Sequence, residues 1–171
     1  MVGINKVFGI LVIYGVLFMG DKAIAQTATH VYTDASMMWG QMACNVDRGL
    51  VREGADWRGK VLYTVQGNRI YQGYSSSSFD LDYTYREGKL YIGESYFTDA
   101  ISYTFEQGKI YQGDSTFPLD LAYTIRPNPN YHGVLNVYTE DSISPFDIVV
   151  FLEGEPTEIE IFAIFISLGL L

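Results

Sequence analysis

The sequence predicts an all-β protein assembled from repeats of about 20 residues, each supplying two short strands. Three observations carry that expectation. Tyr63-Thr64, Tyr83-Thr84, Tyr103-Thr104 and Tyr123-Thr124 recur at a fixed step, and Tyr71, Tyr91, Tyr111 and Tyr131, with Gly73, Gly93, Gly113 and Gly133, follow the same step. Segments such as "DLAYTI" (120–125) alternate, with Leu121, Tyr123 and Ile125 on one face and Ala122 and Thr124 on the other. Period-two alternation rich in aromatic and β-branched residues marks a half-buried strand. Third, "EG" (87–88) and "QG" (107–108) join "YTY" or "YTF" to "KLYIG" or "KIYQG", and glycine in a very short connection supplies the positive φ of a tight hairpin turn.

The chain opens with "MVGINK", an uncharged apolar run "VFGILVIYGVLFMG" (7–20) and "AIA" (23–25). That order predicts a secretory signal peptide over 1–25, cut after Ala25. The apolar run is shorter than the roughly 20 residues a spanning helix needs, so no membrane span is expected after cleavage. Residues 26–171 then form a single β-repeat domain. The whole chain carries a formal charge of −9, and loss of Lys6, Lys22 and Asp21 with the leader makes the remainder one unit more acidic. An acidic chain without a basic patch is repelled by nucleic acid, which is excluded as a partner. Cys44 is the one cysteine, so no internal disulfide forms, and its apolar neighbours in "QMACNV" point to a buried thiol.

The repeats run from about 31 to 151, and about six units can be counted. "VYTDAS" (31–36) reads as a first "IYQGDS", and "NVDRGLVREG" (45–54) as a unit whose tyrosine is replaced by Arg52. "VYTEDSISPFDIVVF" (137–151) aligns with "IYQGDSTFPLDLAYT" (110–124) at an offset of 27 rather than 20, the excess corresponding to the Pro/Asn-rich "RPNPNYHGVLN" (126–136). The second connector of each unit, "GDSTFPLD" (113–120), is longer and looser. No segment after the leader shows a sustained helical period. "EIEIFAIFISLGLL" (158–171) starts as an alternating strand, so residues 159–168 are expected to close the sheet as an apolar strand. Two architectures fit: an antiparallel hairpin meander, closed or curled around one core, and a two-sided β-solenoid. The short glycine turns favour the meander, because a solenoid arc must separate two sheets by about 10 Å. In both, one unit cannot bury its own apolar face and stacked copies can.

Chemistry is sparse. His30 and His132 are the two histidines, and no zinc spacing or nucleophile elbow occurs, so neither catalytic residues, nor a metal site, nor a cofactor is expected. Asp80, Asp120 and Asp147 fall at equivalent positions. Repetition spaces such acids for architecture, and turn capping is the expected role; stacked calcium lacks its usual loop patterns. Tyr63, Tyr83, Tyr103 and Tyr123 are in phase with the core. Tyr71, Tyr91 and Tyr111 are out of phase with Ile70, Leu90 and Ile110, so they form a row on the other face. If that face is wet, the three are candidate ligand-binding residues for a glycan or a protein surface, since tyrosine joins contact area to a polar tip. The Thr64, Thr84, Thr104 and Thr124 column suggests a threonine ladder.

The unit "GKIYQGDSTFPLDLAYTI" resembles the repeats of small exported bacterial proteins with I-Y-x-G-x-S-x-x-x-x-D-x-x-Y-T patterns, over roughly 31–151. That resemblance implies a repetitive β fold and brings no activity with it. The expected function is a non-enzymatic exported module, binding or structural, at the cell surface. The alternatives are a self-assembling subunit that pairs through its C-terminal strand and a carbohydrate-active enzyme using the repeated acids.

Overall fold

A computed structural model describes residues 28–37 and 41–171. The expected leader, 1–25, lies outside the described residues. Among the described residues twelve strands follow one another: β1 (Thr29–Tyr32), β2 (Met42–Asp47), β3 (Leu50–Glu53), β4 (Val61–Gln66), β5 (Arg69–Gln72), β6 (Leu81–Arg86), β7 (Lys89–Ile92), β8 (Ile101–Glu106), β9 (Lys109–Gln112), β10 (Leu121–Pro127), β11 (Val134–Thr139) and β12 (Ile148–Glu153), before the α-helix α1 (Glu158–Ser167); four long connectors each end in one 3-10 turn. Every strand pairs antiparallel with its neighbour in sequence, and β1 pairs with β12. The meander of hairpins is therefore closed into a barrel, and the solenoid alternative is overturned: equivalent strands never stack in parallel.

The barrel has six hairpins, five continuous and one split between β12 and β1. Each places the same pair opposite: Asn45 with Arg52, Thr64 with Tyr71, Thr84 with Tyr91, Thr104 with Tyr111, Thr124 with Tyr138, and Phe151 with Tyr32. Tyr138 thus holds the place that a uniform 20-residue step assigns to Tyr131. The extra residues sit in the turn between β10 and β11, and the register resumes beyond them at the offset of 27.

Tight turns close one end of the barrel. In the turn before β7, Glu87 and Gly88 both have positive φ, 49° and 80°, the geometry whose twist matches the flanking strands. A Cβ on Gly88 would stand 2.9 Å from the Phe105 carbonyl oxygen, so the next repeat's strand requires glycine there. At the other end, a bulge recurs in every repeat: the pairing register shifts by one residue at Ala43, Leu62, Asp82, Ser102, Ala122 and Val149. Bulges bend a strand and raise its twist, which is how a sheet is curled to closure. The repeated glycines lock the bulges. The amides of Gly73, Gly93 and Gly113 donate to the carbonyls of Leu62, Asp82 and Ser102 at 2.7–2.8 Å. Their own carbonyls accept from the hydroxyls of Thr64, Thr84 and Thr104 at 2.6–2.7 Å. Thr124 bonds Glu140 O and the Asn45 amide bonds Gly54 O in the same way. The threonines therefore form no ladder among themselves; each ties its own hairpin.

The C-terminal segment expected as a strand over 159–168 is instead the helix α1, which fills the barrel. Its start is a capping box: Thr157 Oγ1 accepts from Glu160 N at 3.4 Å, and Glu160 Oε2 accepts from Thr157 N at 2.9 Å. Ile159, Ile161, Phe162, Ala163, Ile164 and Phe165 are all buried, because a helix apolar on every side is stable only when surrounded. Twelve strands spaced about 4.8 Å apart make a ring at least ~9 Å in radius, and one helix packs at about that distance from its neighbours. Val31, Cys44, Val46, Val51, Ile70, Leu90, Ile110, Val137, Val150 and Leu152 line the wall against it. The helix enters at the tight-turn end, where the Tyr85 hydroxyl donates to Glu158, and leaves toward the other end, where the Tyr123 hydroxyl donates to Leu170 O at 2.9 Å. None of the described helices is long and apolar enough to cross a membrane.

Candidate functional site

The tyrosine row does lie on the outer wall, yet that wall is not wet. Tyr71 and Tyr111 are 4% and 8% exposed, and Tyr91 is partly covered. The cover comes from the long connectors, which fold back over the barrel. Arg86 shows the mode: it donates to Ser95 O at 3.0 Å and stacks on Tyr91 and Tyr96, 5.5 and 3.5 Å from the ring centres. In successive repeats Arg69 pairs with Glu94, Lys89 with Asp114 at 2.5 Å, and Lys109 with Asp141 at 3.3 Å. Each of these three basic residues, close to a tight turn, thus pins the connector of the following hairpin. Tyr71 and Tyr111 offer no free ring face to a ligand. Tyr63, Tyr83, Tyr103 and Tyr123 point inward, as their phase requires, and Tyr123 meets Phe165 edge-on at 5.2 Å.

Inside each connector the repeated serine and aspartate form one tie. Ser75, Ser115 and Ser142 donate to Asp80, Asp120 and Asp147 at 2.5–2.6 Å. The same serine oxygens accept the amides of Ser77, Phe117 and Ser144 at 3.0–3.1 Å. The aspartates hold a turn, with a serine hydroxyl rather than a backbone amide as the donor. Ala100 breaks the column, so Ser95 keeps its amide bond to Phe97 but has no carboxylate at the equivalent place. Among the described residues, no group of three or more His, Cys, Asp or Glu is placed to hold a metal ion.

What pattern reading missed is on the connectors themselves. Each of the five fully described long connectors holds a large apolar side chain in open solvent: Trp57 (73%), Phe79 (98%), Phe97 (75%), Leu119 (99%) and Phe146 (96%), joined by Tyr74, Tyr96, Phe117 and Ile143. A signal for them existed. They are apolar residues set among Gly, Ser, Pro and Asp, outside either strand, where neither face of a sheet accounts for them. Because long and short connections alternate around a closed antiparallel barrel, all these connectors spring from the same end. Connectors 33–41, 73–80, 93–100, 113–120 and 140–147 contain acids but no Lys or Arg, whereas 54–60, which carries Trp57, holds Arg58 and Lys60 with Asp56.

Two other features are used up by the fold. Beside the 127–133 turn lies a concavity of about 310 Å³ containing Asn128, Asn136, Tyr131 and Tyr138. Its buried amide is spent internally: Asn128 Nδ2 donates to Asn136 Oδ1 at 2.8 Å, and Asn136 Nδ2 to the Tyr138 hydroxyl at 3.0 Å. Cys44 faces the helix, and burial pushes its thiol up to about 11, with Ser167 opposing slightly.

Comparison with known proteins gives one family. A family model described as a 6-fold beta flower protein matches residues 31–164. No curated protein matches the chain. Among solved structures, a protein from Arabidopsis thaliana is similar over 84% of this chain and 90% of that chain, with 10% identity and a TM-score of 0.31. That score is too low to carry an argument.

Proposed function

The chain belongs to the 6-fold beta flower proteins, and from that premise we propose that it is an exported, non-enzymatic binding module at the cell surface, whose contact surface is the set of long connectors. The export part rests on the leader-like residues 1–25. The binding part rests on one observation: every fully described long connector exposes a large apolar side chain, between 73% and 99%, and in three of them, those of Phe79, Leu119 and Phe146, a serine–aspartate tie holds the turn. Exposed apolar groups that recur in register mark interaction surfaces, whereas single scattered ones do not. Rigid presentation lowers the entropic cost of association.

The binding reading is preferred here to assembly through a C-terminal strand. The segment 158–167 is a helix packed against the wall, and among the described residues the closed barrel leaves no edge strand to template another. The binding reading is tested with the purified protein on arrays of glycans and of tiled peptides. The comparison is a variant carrying Phe79→Ser, Phe117→Ser, Leu119→Ser and Phe146→Ser, whose far-ultraviolet dichroism and melting should match the parent. Binding by the parent that the variant loses supports the proposal. Silence from both proteins, or equal binding by both, sinks it.

A further inference from the structure

From the charge around the exposed apolar residues, and resting on the reading above, we infer that the connectors' partner is a cationic amphipathic segment of protein. Such a segment presents Lys or Arg beside apolar side chains. The apolar residues do not stand alone. Asp80 directly follows Phe79, Asp120 follows Leu119, Asp147 follows Phe146, and Asp99 lies two residues beyond Phe97. Glu94, Asp114 and Asp141 are neutralised by Arg69, Lys89 and Lys109, with Arg126 also on Asp141. Asp80, Asp99, Asp120, Glu140 and Asp147 have no cationic partner among the described residues. In the four connectors 73–80, 93–100, 113–120 and 140–147 the surface therefore sets an apolar anchor beside an uncompensated carboxylate, whereas in 54–60 Arg58 lies over the Trp57 ring.

That juxtaposition selects the occupant. A second copy would set two such acidic surfaces against each other, in a chain of net charge −9, and like charges in apposition cost several kcal/mol. An anionic bilayer or a nucleic acid is repelled for the same reason. A neutral apolar partner would satisfy the anchors and leave the carboxylates facing it partly desolvated and unpaired. A cationic amphipathic segment satisfies both, and its approach is steered by the field of the acidic connectors.

The experiment uses three synthetic 14-residue peptides with leucine at helical spacing and, on the opposite face, lysine, glutamine or glutamate. Binding to the purified protein is read by fluorescence anisotropy at low salt and at 0.5 M NaCl. The lysine peptide is expected to bind at least tenfold tighter than the glutamine peptide, and the glutamate peptide most weakly. The spread should shrink at high salt, where the screening length falls to a few ångströms. In a variant carrying Asp99→Asn and Glu140→Gln, which leaves the serine–aspartate ties intact, the lysine advantage should drop severalfold. Equal binding of all three peptides, lost in the fourfold serine variant described above, overturns the charge inference and leaves the binding module standing. Absence of any peptide binding overturns the inference, and silence on the arrays decides separately against the binding module. Binding to phosphatidylcholine vesicles in preference to the lysine peptide assigns the surface to lipid and overturns the inference.

Discussion

Replacing Phe162 by alanine tests whether α1 is the core of the barrel or a passenger in it. The ring is 0% exposed. It meets Tyr85 at 5.6 Å and Phe105 edge-on at 6.3 Å, so it touches the wall through two repeats. Phe→Ala in a core costs about 3–5 kcal/mol, the larger values arising where the site cannot collapse. Here collapse is opposed by a ring of strands hydrogen-bonded all the way round. Removing each of the two aromatic pairings adds ~0.5–1.5 kcal/mol beyond buried area. We therefore expect a loss near 4–5 kcal/mol, equivalent to a melting temperature lower by roughly 8–20 °C for a chain of this size. Urea unfolding followed by tyrosine and tryptophan fluorescence measures it, with Phe162→Leu as the mild comparison. A loss below about 2 kcal/mol with an unchanged denaturant slope would refute the claim that the helix packs as the barrel's filling.

Three further outcomes follow from local geometry. Thr84→Val removes the hydroxyl that bonds Gly93 O at 2.6 Å from a fully buried position, and should cost about 1–3 kcal/mol by chemical denaturation, since the carbonyl is left unsatisfied. Ala100→Asp restores the missing carboxylate opposite Ser95 and should raise stability by about 0.5–1.5 kcal/mol; no change would show that the tie does not act on stability. Asp82 is raised above the ordinary carboxylate value by burial and, secondarily, by the Asp80 charge. Its folded form favours the proton, so its contribution is fully present below the unfolded carboxylate range and is lost as pH rises through the raised value. Asp82→Ser, which copies the equivalent Ser102, should therefore melt higher than the parent at pH 7, and the gain should vanish below about pH 3. A gain equal at both pH values would refute the electrostatic cause.

The strands, the tight turns and the six-unit count were legible because they depend on local chemistry: glycine where φ must be positive, alternation where one face is dry. Arg52 in the tyrosine column and the offset of 27 were legible for the same reason. The helix was misread because "EIEIF" alternates at its start like a strand, and that run outweighed Thr157 and Glu160, whose spacing is that of a capping box. An apolar segment of about ten residues fits a buried strand or a buried helix equally by periodicity, and only the cap separates them. Closure was left open because the bulges that curl the sheet fall on Asp82, Ser102 and Ala122, residues with nothing in common. The tyrosine row was placed on the correct face, but its burial depends on connectors folding back, driven by ion pairs 25 residues apart in sequence, such as Arg69 with Glu94. Long-range pairs of that kind leave no mark in any short window.

The split hairpin sets a timetable. His30 and Glu153, which face each other across β1 and β12, are 123 residues apart. Joining them waits until the ten intervening strands exist, and contacts between such distant residues form slowly. The helix comes later still, since it follows β12 in the chain. Growing from its N-terminus, the protein builds its wall before its filling, and until α1 arrives the five continuous hairpins have a dry inner face and nothing to put against it. The five continuous hairpins thus wait as an open sheet with two free edges, and closing it around a filled core falls to β12 and to the ten-residue α1 that follows it.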